Sequence, residues 1–341
     1  MMFAPLFEKL RRQEDLTTDE AAAAMAAIMS GEATPAQTAG LLIALSMKGE
    51  RPAELVGFAR TMRARAVRLT RPRPDALDTC GTGGDGANTF NISTVAAIVV
   101  AACGVPVAKH GNRSASSRCG SADVFEALGV DVAAGPAAAE ACLAEAGLAF
   151  FFAPTYHPSM RHVSALRREL GVRTAFNLLG PLTNPAGALR QIVGVPRPEL
   201  TELVAKALGM LGSERAWVVH GADGLDEIST TGYTKVSEAR GRSVRTFYVH
   251  PADAGLPKAT LADLAGGDAA ENAAITRRIL AGGKGPGRDI VLLNAGAALL
   301  VAGAATSLGE GITRAAAAID RGAATATLEQ VVATSHHGAS I

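Results

Sequence analysis

The chain has 341 residues and a formal net charge of +1, with 33 Lys and Arg residues against 32 Asp and Glu. This length is enough for a large core and for two domains, and the near-neutral charge argues against general electrostatic binding to nucleic acid or membrane. No apolar run is long enough to span a bilayer, and MMFAPLFEKLRRQEDL at the start lacks the apolar segment of a secretory signal. The four cysteines form no CxxC pair and no metal-ligand cluster, which favours reduced thiols in a cytoplasmic protein.

The first seventy or so residues predict helices and no strands. Two capping-box patterns, TTDE from Thr17 and TPAQ from Thr34, each open an apolar helical run, and a third helix follows. The run RPRP at 71–74 cannot continue a helix and indicates a linker. These features predict an all-helical domain over residues 1–72 and a second domain over residues 73–341.

Beyond the linker, short strand-like runs alternate with helical ones. The runs are ALDTC, VPVAKH, LAFFFA, RQIVGV and RAWVVHG, and VRTFYV near Tyr248 predicts a later strand at an edge. This alternation predicts an α/β domain with a mainly parallel sheet flanked by helices. From Leu261 onward the pattern is helical again. In such a sheet, ligands bind beyond the carboxyl ends of the strands.

A glycine-rich turn, GTGGDG over residues 81–86, follows the first predicted strand. Glycine has no side chain, so its backbone N–H groups can approach an anion closely. The turn is neither a phosphate-binding loop of the GK[ST] type nor a GxGxxG motif, so a plain strand-to-helix connection fits it equally well. Asn91 to Thr94 then begin the next helix, where their side chains would either cap the helix or contact a phosphate or metal.

A second turn of the same kind, KHGNRSASS over residues 109–117, follows the next strand. It supplies an ammonium group, a guanidinium fork and three hydroxyls, which is the composition a phosphate requires. A solvated loop would have a similar composition. Ser121 and Asp123 open another helix just beyond it. Together the two turns predict a ligand with more than one phosphate.

An acidic turn follows the RAWVVHG strand and contains Asp223, Asp226 and Glu227. An exposed acidic turn is the simpler interpretation. A polyphosphate ligand, however, calls for Mg²⁺, which uses one or two carboxylates together with phosphate oxygens. Asp226 and Glu227 are sufficient for that role.

The helix predicted over residues 158–170 places Met160, Ser164 and Arg167 on one face. A thioether beside a guanidinium can hold an apolar ring that carries a carboxylate. The alternative is a surface arginine with methionine filling the core. The turn-rich segment FNLLGPLTNP after this helix is expected to be structural or to form a wall of the pocket.

These segments, in this order, resemble the family of anthranilate phosphoribosyltransferases. The resemblance rests on GTGGDGANTFNIST, VAKHGNRSASS, GSAD, MRH…RRELGVRT…FNLLGPLTNP and VHGADGLDEIST, and it extends from about the third helix to about residue 325. It implies a small helical domain joined to a larger α/β domain, with later helices packing on the small one. It also implies a homodimer built through the helical part.

The resemblance further implies a role for individual residues. The positions matching contacts to phosphoribosyl pyrophosphate are Gly81, Gly84, Asp85, Thr89, Asn91, Ile92, Ser93, Thr94, Lys109, His110, Gly111, Asn112, Arg113, Ser114, Ala115, Ser116, Ser117 and Ser121. Those matching contacts to anthranilate are Gly81, Asn112 and Arg167, with His110 close by, and those matching Mg²⁺, at two ions per monomer, are Ser93, Asp226 and Glu227. Three residues depart from the family pattern, namely Cys119, Tyr233 and Met160. These departures affect the detail of the pocket and replace none of the ligand positions named above.

The implied reaction is displacement of pyrophosphate from the anomeric carbon by the anthranilate amine, a step of tryptophan biosynthesis. Backbone N–H groups and Mg²⁺ would stabilise the leaving group, and positioning of the amine would be sufficient for attack. No general base stands out, and His110 is the candidate. One alternative is a pyrimidine nucleoside phosphorylase-like enzyme, and KHGNR and Arg167 argue against it. The other is a non-catalytic nucleic-acid-binding paralogue. The near-neutral charge and the retained Asp226 and Glu227 argue against that interpretation.

Overall fold

Four helices form the N-terminal part of the protein in the computed structural model, which describes residues 2–114 and 118–336. They are α1 (Phe3–Arg11), α2 (Thr18–Ser30), α3 (Pro35–Lys48) and α4 (Pro52–Arg65). Both predicted capping boxes are present, from Thr17 to Glu20 and from Thr34 to Gln37. Helix α1 adds to the three helices expected from the sequence, and its buried Phe3 anchors it in the core.

One seven-stranded sheet forms the centre of the rest of the chain, in the order β3-β2-β1-β4-β5-β6-β7. The strands are β1 (Leu77–Asp78), β2 (Val107–Gly111), β3 (Leu148–Phe152), β4 (Arg190–Gly194), β5 (Arg215–Gly221), β6 (Thr234–Arg240) and β7 (Ser243–Val249). The first five are parallel, while β6 and β7 add antiparallel strands at one edge. The predicted mainly parallel sheet and the edge position of VRTFYV are confirmed. Strand β6 was not predicted, because it buries the polar Ser237 and Glu238 where an apolar pattern would be expected.

In the described part of the chain, ten further helices follow the N-terminal four, and several of them pack on the sheet. They are α5 (Ile92–Ala102), α6 (Ser121–Leu128), α7 (Pro136–Glu145), α8 (Ala153–Tyr156), α9 (Arg161–Leu170), α10 (Leu200–Met210), α11 (Ala269–Leu280), α12 (Pro286–Val301), α13 (Leu308–Asp320) and α14 (Ala323–Ser335). The helix predicted over 158–170 begins with a 3₁₀ turn, Pro158–Met160, before α9. Among the described residues, none of these helices is long and apolar enough to cross a membrane.

The two larger of three apolar clusters among the described residues lie on opposite faces of the sheet, because successive strand residues point to opposite sides. Ile192 and Trp217 join α5 and α12 in one core. Their neighbours Val193 and Val218 join α10 and the N-terminal helices in the other. The N-terminal helices therefore share a core with the sheet through α10, and the division of the chain at residue 72 stays a prediction.

Candidate active site

A cleft of about 600 Å³ opens where β1, β2, β4 and β5 end. It is lined by every described residue that the sequence placed in the site: Gly81, Gly84, Asp85, Thr89, Asn91, Ile92, Ser93, Thr94, Lys109, His110, Gly111, Asn112, Arg113, Ser114, Ser121, Arg167, Asp226 and Glu227. Ala115, Ser116 and Ser117 lie outside the described residues. Four segments that are distant in sequence therefore meet in one cavity. Their individual ligand roles stay predictions.

The first glycine-rich turn passes along the cleft in a backbone conformation that glycine favours. Gly83, Gly84 and Gly86 have φ of 63°, 88° and 71°, a left-handed region that side chains with a Cβ enter only at a cost. A Cβ on Gly84 would overlap the guanidinium of Arg173. The turn thus brings its backbone to the cleft without side-chain bulk, which suits a phosphate.

The acidic turn after β5 contacts both the glycine turn and the start of helix α5. Asp226 Oδ2 accepts a hydrogen bond from Gly83 N at 3.0 Å, and Glu227 Oε1 accepts one from Ser93 N at 3.1 Å. Burial, reinforced by Asp85, raises the pKa of Asp226 to about 7. Burial, reinforced by Asp226, raises the pKa of Glu227 to about 8. A cation beside the two carboxylates would relieve this desolvation and lower both pKa values.

The carboxylate pair fits Mg²⁺ that completes its coordination with ligand oxygens. Within the described part of the chain, no group of three or more His, Cys, Asp or Glu residues is arranged to hold a metal by itself. Mg²⁺ commonly takes one or two carboxylates and fills its remaining positions with water and phosphate oxygens. Asp226, Glu227 and the Ser93 hydroxyl at the start of α5 are the residues that would hold it.

Lys109 lies in the floor of the cleft and is almost fully buried. Its Nζ donates to the carbonyl and the hydroxyl of Thr79, both at 3.0 Å, and to Ser93 Oγ at 3.4 Å. Burial lowers the pKa of Lys109, while burial raises the pKa of the neighbouring Asp78 to about 6. The ammonium is therefore held by protein groups beneath the site, where its charge offsets that of the surrounding carboxylates.

The second turn is tied to helix α6. Arg113 Nη1 bonds Asp123 Oδ1 at 2.9 Å and Glu126 Oε2 at 2.7 Å. Asp123 Oδ2 also accepts from the backbone N–H groups of Ser114 and Gly120, at 3.2 and 2.8 Å. The Arg113 guanidinium, expected to bind phosphate, is thus paired with two carboxylates, and binding a phosphate requires it to leave or share them.

The opposite wall of the cleft combines a guanidinium with two histidines. Arg167 on α9 lies 5.3 Å from the Phe176 ring centre. The His110 ring packs at a tilt against the His157 ring, with ring centres 5.2 Å apart, and its Nδ1 donates to the Gly180 carbonyl at 2.9 Å. Burial lowers the pKa of His110 to about 3 and that of His157 to about 4. Both imidazoles are neutral near pH 7, and such a low pKa makes His110 a weak proton acceptor.

Among the lining residues to which the sequence analysis gave no role, Arg173 and Asn294 stand out by their contacts. Arg173, just beyond α9, lies against Gly84 and lines the cleft. Asn294 on α12 accepts from Ile228 N at 3.0 Å and donates to Ile228 O at 2.9 Å, so it holds the backbone next to Glu227. A signal existed for each, since Arg173 lies in the RRELGVRT block and Asn294 interrupts the apolar run DIVLLNAGAALL.

Of the three departures from the family pattern, two concern the cleft. Met160 and Cys119 line it. Tyr233 does not line the cleft, because its side chain is exposed and packs at a tilt against His250, with ring centres 4.6 Å apart. Its effect on the pocket is therefore indirect at most.

Comparisons with known proteins agree with this geometry. The glycosyl transferase family model for a helical bundle domain matches residues 4–66, and the model for the a/b domain of that family matches residues 73–325. Anthranilate phosphoribosyltransferase from Moorella thermoacetica is 57% identical over 332 residues, covering 97% of this chain and 98% of the relative. The Rhodospirillum rubrum enzyme of that name is also 57% identical, over 318 residues, with 93% and 91% covered.

Solved structures show the same likeness. The crystal structure of the Thermus thermophilus anthranilate phosphoribosyltransferase superposes with a TM-score of 0.91 at 49% identity, covering 97% of this chain and 99% of that one. The Saccharomyces cerevisiae enzyme in complex with phosphoribosyl pyrophosphate and Mg superposes with a TM-score of 0.90 at 28% identity, covering 98% of both chains. The fold and the order of the segments that form the cleft are therefore shared over nearly the whole chain.

Proposed function

The chain belongs to the family of anthranilate phosphoribosyltransferases, and from that premise we propose how its cleft works. It transfers the phosphoribosyl group of 5-phospho-α-D-ribose 1-diphosphate to the amine of anthranilate. The products are N-(5-phosphoribosyl)anthranilate and pyrophosphate, in tryptophan biosynthesis. The observation that carries the proposal is the meeting of the glycine turn, the carboxylate pair and Arg167 in one cleft.

The glycine turn and the start of α5 form the phosphate side of the cleft. Negative charge gathers on pyrophosphate as its bond to the anomeric carbon breaks. Backbone N–H groups of the turn and the positive end of α5 stabilise that charge. Asp226 and Glu227 hold Mg²⁺, and we propose two ions per monomer. When bound, Mg²⁺ adds electrostatic stabilisation of the leaving group. Lys109 lies below this site, where its Nζ contacts Ser93 Oγ at 3.4 Å and its charge offsets that of the carboxylates.

The opposite wall orients the nucleophile. Arg167 binds the carboxylate of anthranilate by a charge-assisted contact, and Asn112 and Gly81 complete the binding site for the ring and amine. An aromatic amine is already nucleophilic, so positioning supplies most of the rate. The low pKa of His110 agrees with this, since a strong general base is not needed.

Assembly and location complete the proposal. We propose a homodimer formed through the N-terminal helices, supported by Met47 at the end of α3, whose side chain is 79% exposed. We also propose a cytoplasmic location, supported by the free thiols of all four cysteines. A measurement of mass in solution tests the dimer, and a monomer at working concentration would refute it.

The central experiment follows the loss of anthranilate fluorescence in the presence of phosphoribosyl pyrophosphate and Mg²⁺. We expect loss only when all three components are present with the protein. A parallel reaction with a pyrimidine nucleoside and inorganic phosphate tests the phosphorylase alternative. If folded protein releases free base in that reaction and leaves anthranilate unchanged, the proposed transfer is wrong.

A further inference from the structure

We propose that a second groove, lined by arginines at the antiparallel edge of the sheet, binds a small aromatic carboxylate. The groove has a volume of about 540 Å³ and lies where β5, β6 and β7 meet the end of α12 and the start of α13. This arginine groove is defined by Arg215, Trp217, Arg240, Arg245 and Phe247. It shares no lining residue with the catalytic cleft.

Glu238, fully buried on β6, organises the charged side of the arginine groove. Its Oε1 accepts from Arg215 Nε at 2.7 Å, Trp217 Nε1 at 2.9 Å and Arg240 Nε at 3.2 Å. Its Oε2 accepts from Arg245 Nε at 2.6 Å. These hydrogen bonds outweigh burial and hold the pKa of Glu238 at about 2, so the carboxylate is ionised. The three guanidiniums are thereby fixed in orientation.

The arginine groove carries more positive than negative charge. Three guanidiniums surround one buried carboxylate, and Asp253 on the lining adds a second negative charge, which leaves a formal +1. Arg240 and Arg245 each contact Glu238 through Nε, and their side chains are 58% and 65% exposed. Within residues 2–114 and 118–336, the Nη groups of these two arginines make no other hydrogen bond, and the Arg245 guanidinium lies 5.3 Å from the Phe247 ring centre. Both guanidiniums therefore keep N–H donors that can reach a bound carboxylate, and that of Arg245 does so beside the Phe247 ring.

The remaining walls of the groove are mainly apolar and aromatic, with Thr306 and Asp253 as polar residues. Phe247 meets Trp217 edge to face with ring centres 5.2 Å apart, and Leu300 and Leu308 lie on the helical side. A hydrated inorganic anion would leave these walls without a matching partner. A flat ring with a carboxylate satisfies both the guanidinium ends and the aromatic walls, as in small-molecule sites that combine apolar lining with a few polar anchors.

Trp217 supplies the test, because it is the one tryptophan in the chain and lines the groove. Full-length protein is titrated with benzoate at constant ionic strength while tryptophan emission is recorded. We expect a saturable change with benzoate and none with acetate or inorganic phosphate over the same range. An absent or non-saturable response to benzoate overturns the proposal, and so does an equal response to phosphate.

Variants locate the response and separate it from the catalytic cleft. Arg245→Gln and Arg240→Gln should each weaken benzoate binding by about tenfold, the effect of losing one charge-assisted contact. Arg242→Gln removes the same charge from an exposed site in the same hairpin and should bind like wild type. Arg167→Gln alters the proposed anthranilate site and should also keep the response.

If Arg242→Gln and Arg245→Gln weaken benzoate binding equally, the effect is one of general charge. The proposed binding site in the arginine groove would then be refuted. If the fluorescence response is lost in Arg167→Gln alone, benzoate binds in the catalytic cleft. That result would also refute binding in the arginine groove. Circular dichroism checks that each variant is folded. If Arg245→Gln does not fold, Arg240→Gln tests the same site, because Glu238 Oε1 keeps two other donors in that variant.

Discussion

Asn294 gives the sharpest prediction about how the helical side of the protein supports the metal-binding turn. Its side chain bonds both the N–H and the C=O of Ile228 and also the Ile290 carbonyl, at 3.0, 2.9 and 2.9 Å. Ile228 is fully buried and directly follows Glu227. Asn294→Ala therefore leaves two backbone groups in the interior without their partner and loosens the chain beside a proposed Mg²⁺ ligand.

The expected loss of stability follows from those two groups. A buried donor or acceptor left without a partner costs about 1–3 kcal/mol, so the pair costs about 2–6 kcal/mol in the free energy of unfolding. That is a large part of the roughly 5–15 kcal/mol that stabilises a typical protein. We expect a clearly lower midpoint of denaturant unfolding and a higher Mg²⁺ concentration for half-maximal activity.

A second buried hydrogen bond far from the cleft provides the control. Thr201 on α10 donates to the Pro198 carbonyl at 2.8 Å and accepts from Ser237 Oγ at 2.9 Å. Thr201→Val should lower stability by about 1–2 kcal/mol and leave the Mg²⁺ titration unchanged. The reasoning is refuted if Asn294→Ala keeps the wild-type unfolding midpoint, or if its Mg²⁺ titration matches that of Thr201→Val.

Three further variants test the walls of the cleft. Arg167→Ala should raise the anthranilate KM by about 10- to 100-fold, since a hydrogen bond to a charged group is worth about 1.5–3 kcal/mol. Arg168→Ala changes an exposed neighbour and is the control. Wild-type kinetics in Arg167→Ala would contradict the role of Arg167 in binding the anthranilate carboxylate. The double variant Asp226→Asn with Glu227→Gln should bind Mg²⁺ more weakly in the presence of pyrophosphate, as measured by calorimetry. An unchanged titration would show that neither residue is a Mg²⁺ ligand. Gly84→Ala should raise the KM for phosphoribosyl pyrophosphate by about tenfold more than Gly83→Ala. Both changes strain a left-handed backbone by about 1–2 kcal/mol, but only the Cβ at Gly84 meets Arg173. Equal kinetics in these two variants would show that Arg173 does not contribute to the phosphate side.

The sequence predicted the elements that carry their own local signals. The boxes at Thr17 and Thr34 begin helices where expected, because the capping hydrogen bonds involve residues only three positions apart. Strand β6 was missed because Glu238 is tolerated in the interior only through its partners on β5 and β7. Local propensity contains no information about such partners.

The sequence by itself determined that this chain has two glycine-rich turns, an acidic turn and an arginine-bearing helix, each recognisable from residue type and spacing. Only the tertiary structure decided that they meet. Gly83 and Asp226 are 143 positions apart, and their hydrogen bond exists because β1 and β5 flank β4 in the sheet. It also decided that Arg113 is paired with carboxylates and that Asn294 supports the acidic turn. Contacts between distant segments depend on strand order and helix packing, which no short window of sequence encodes.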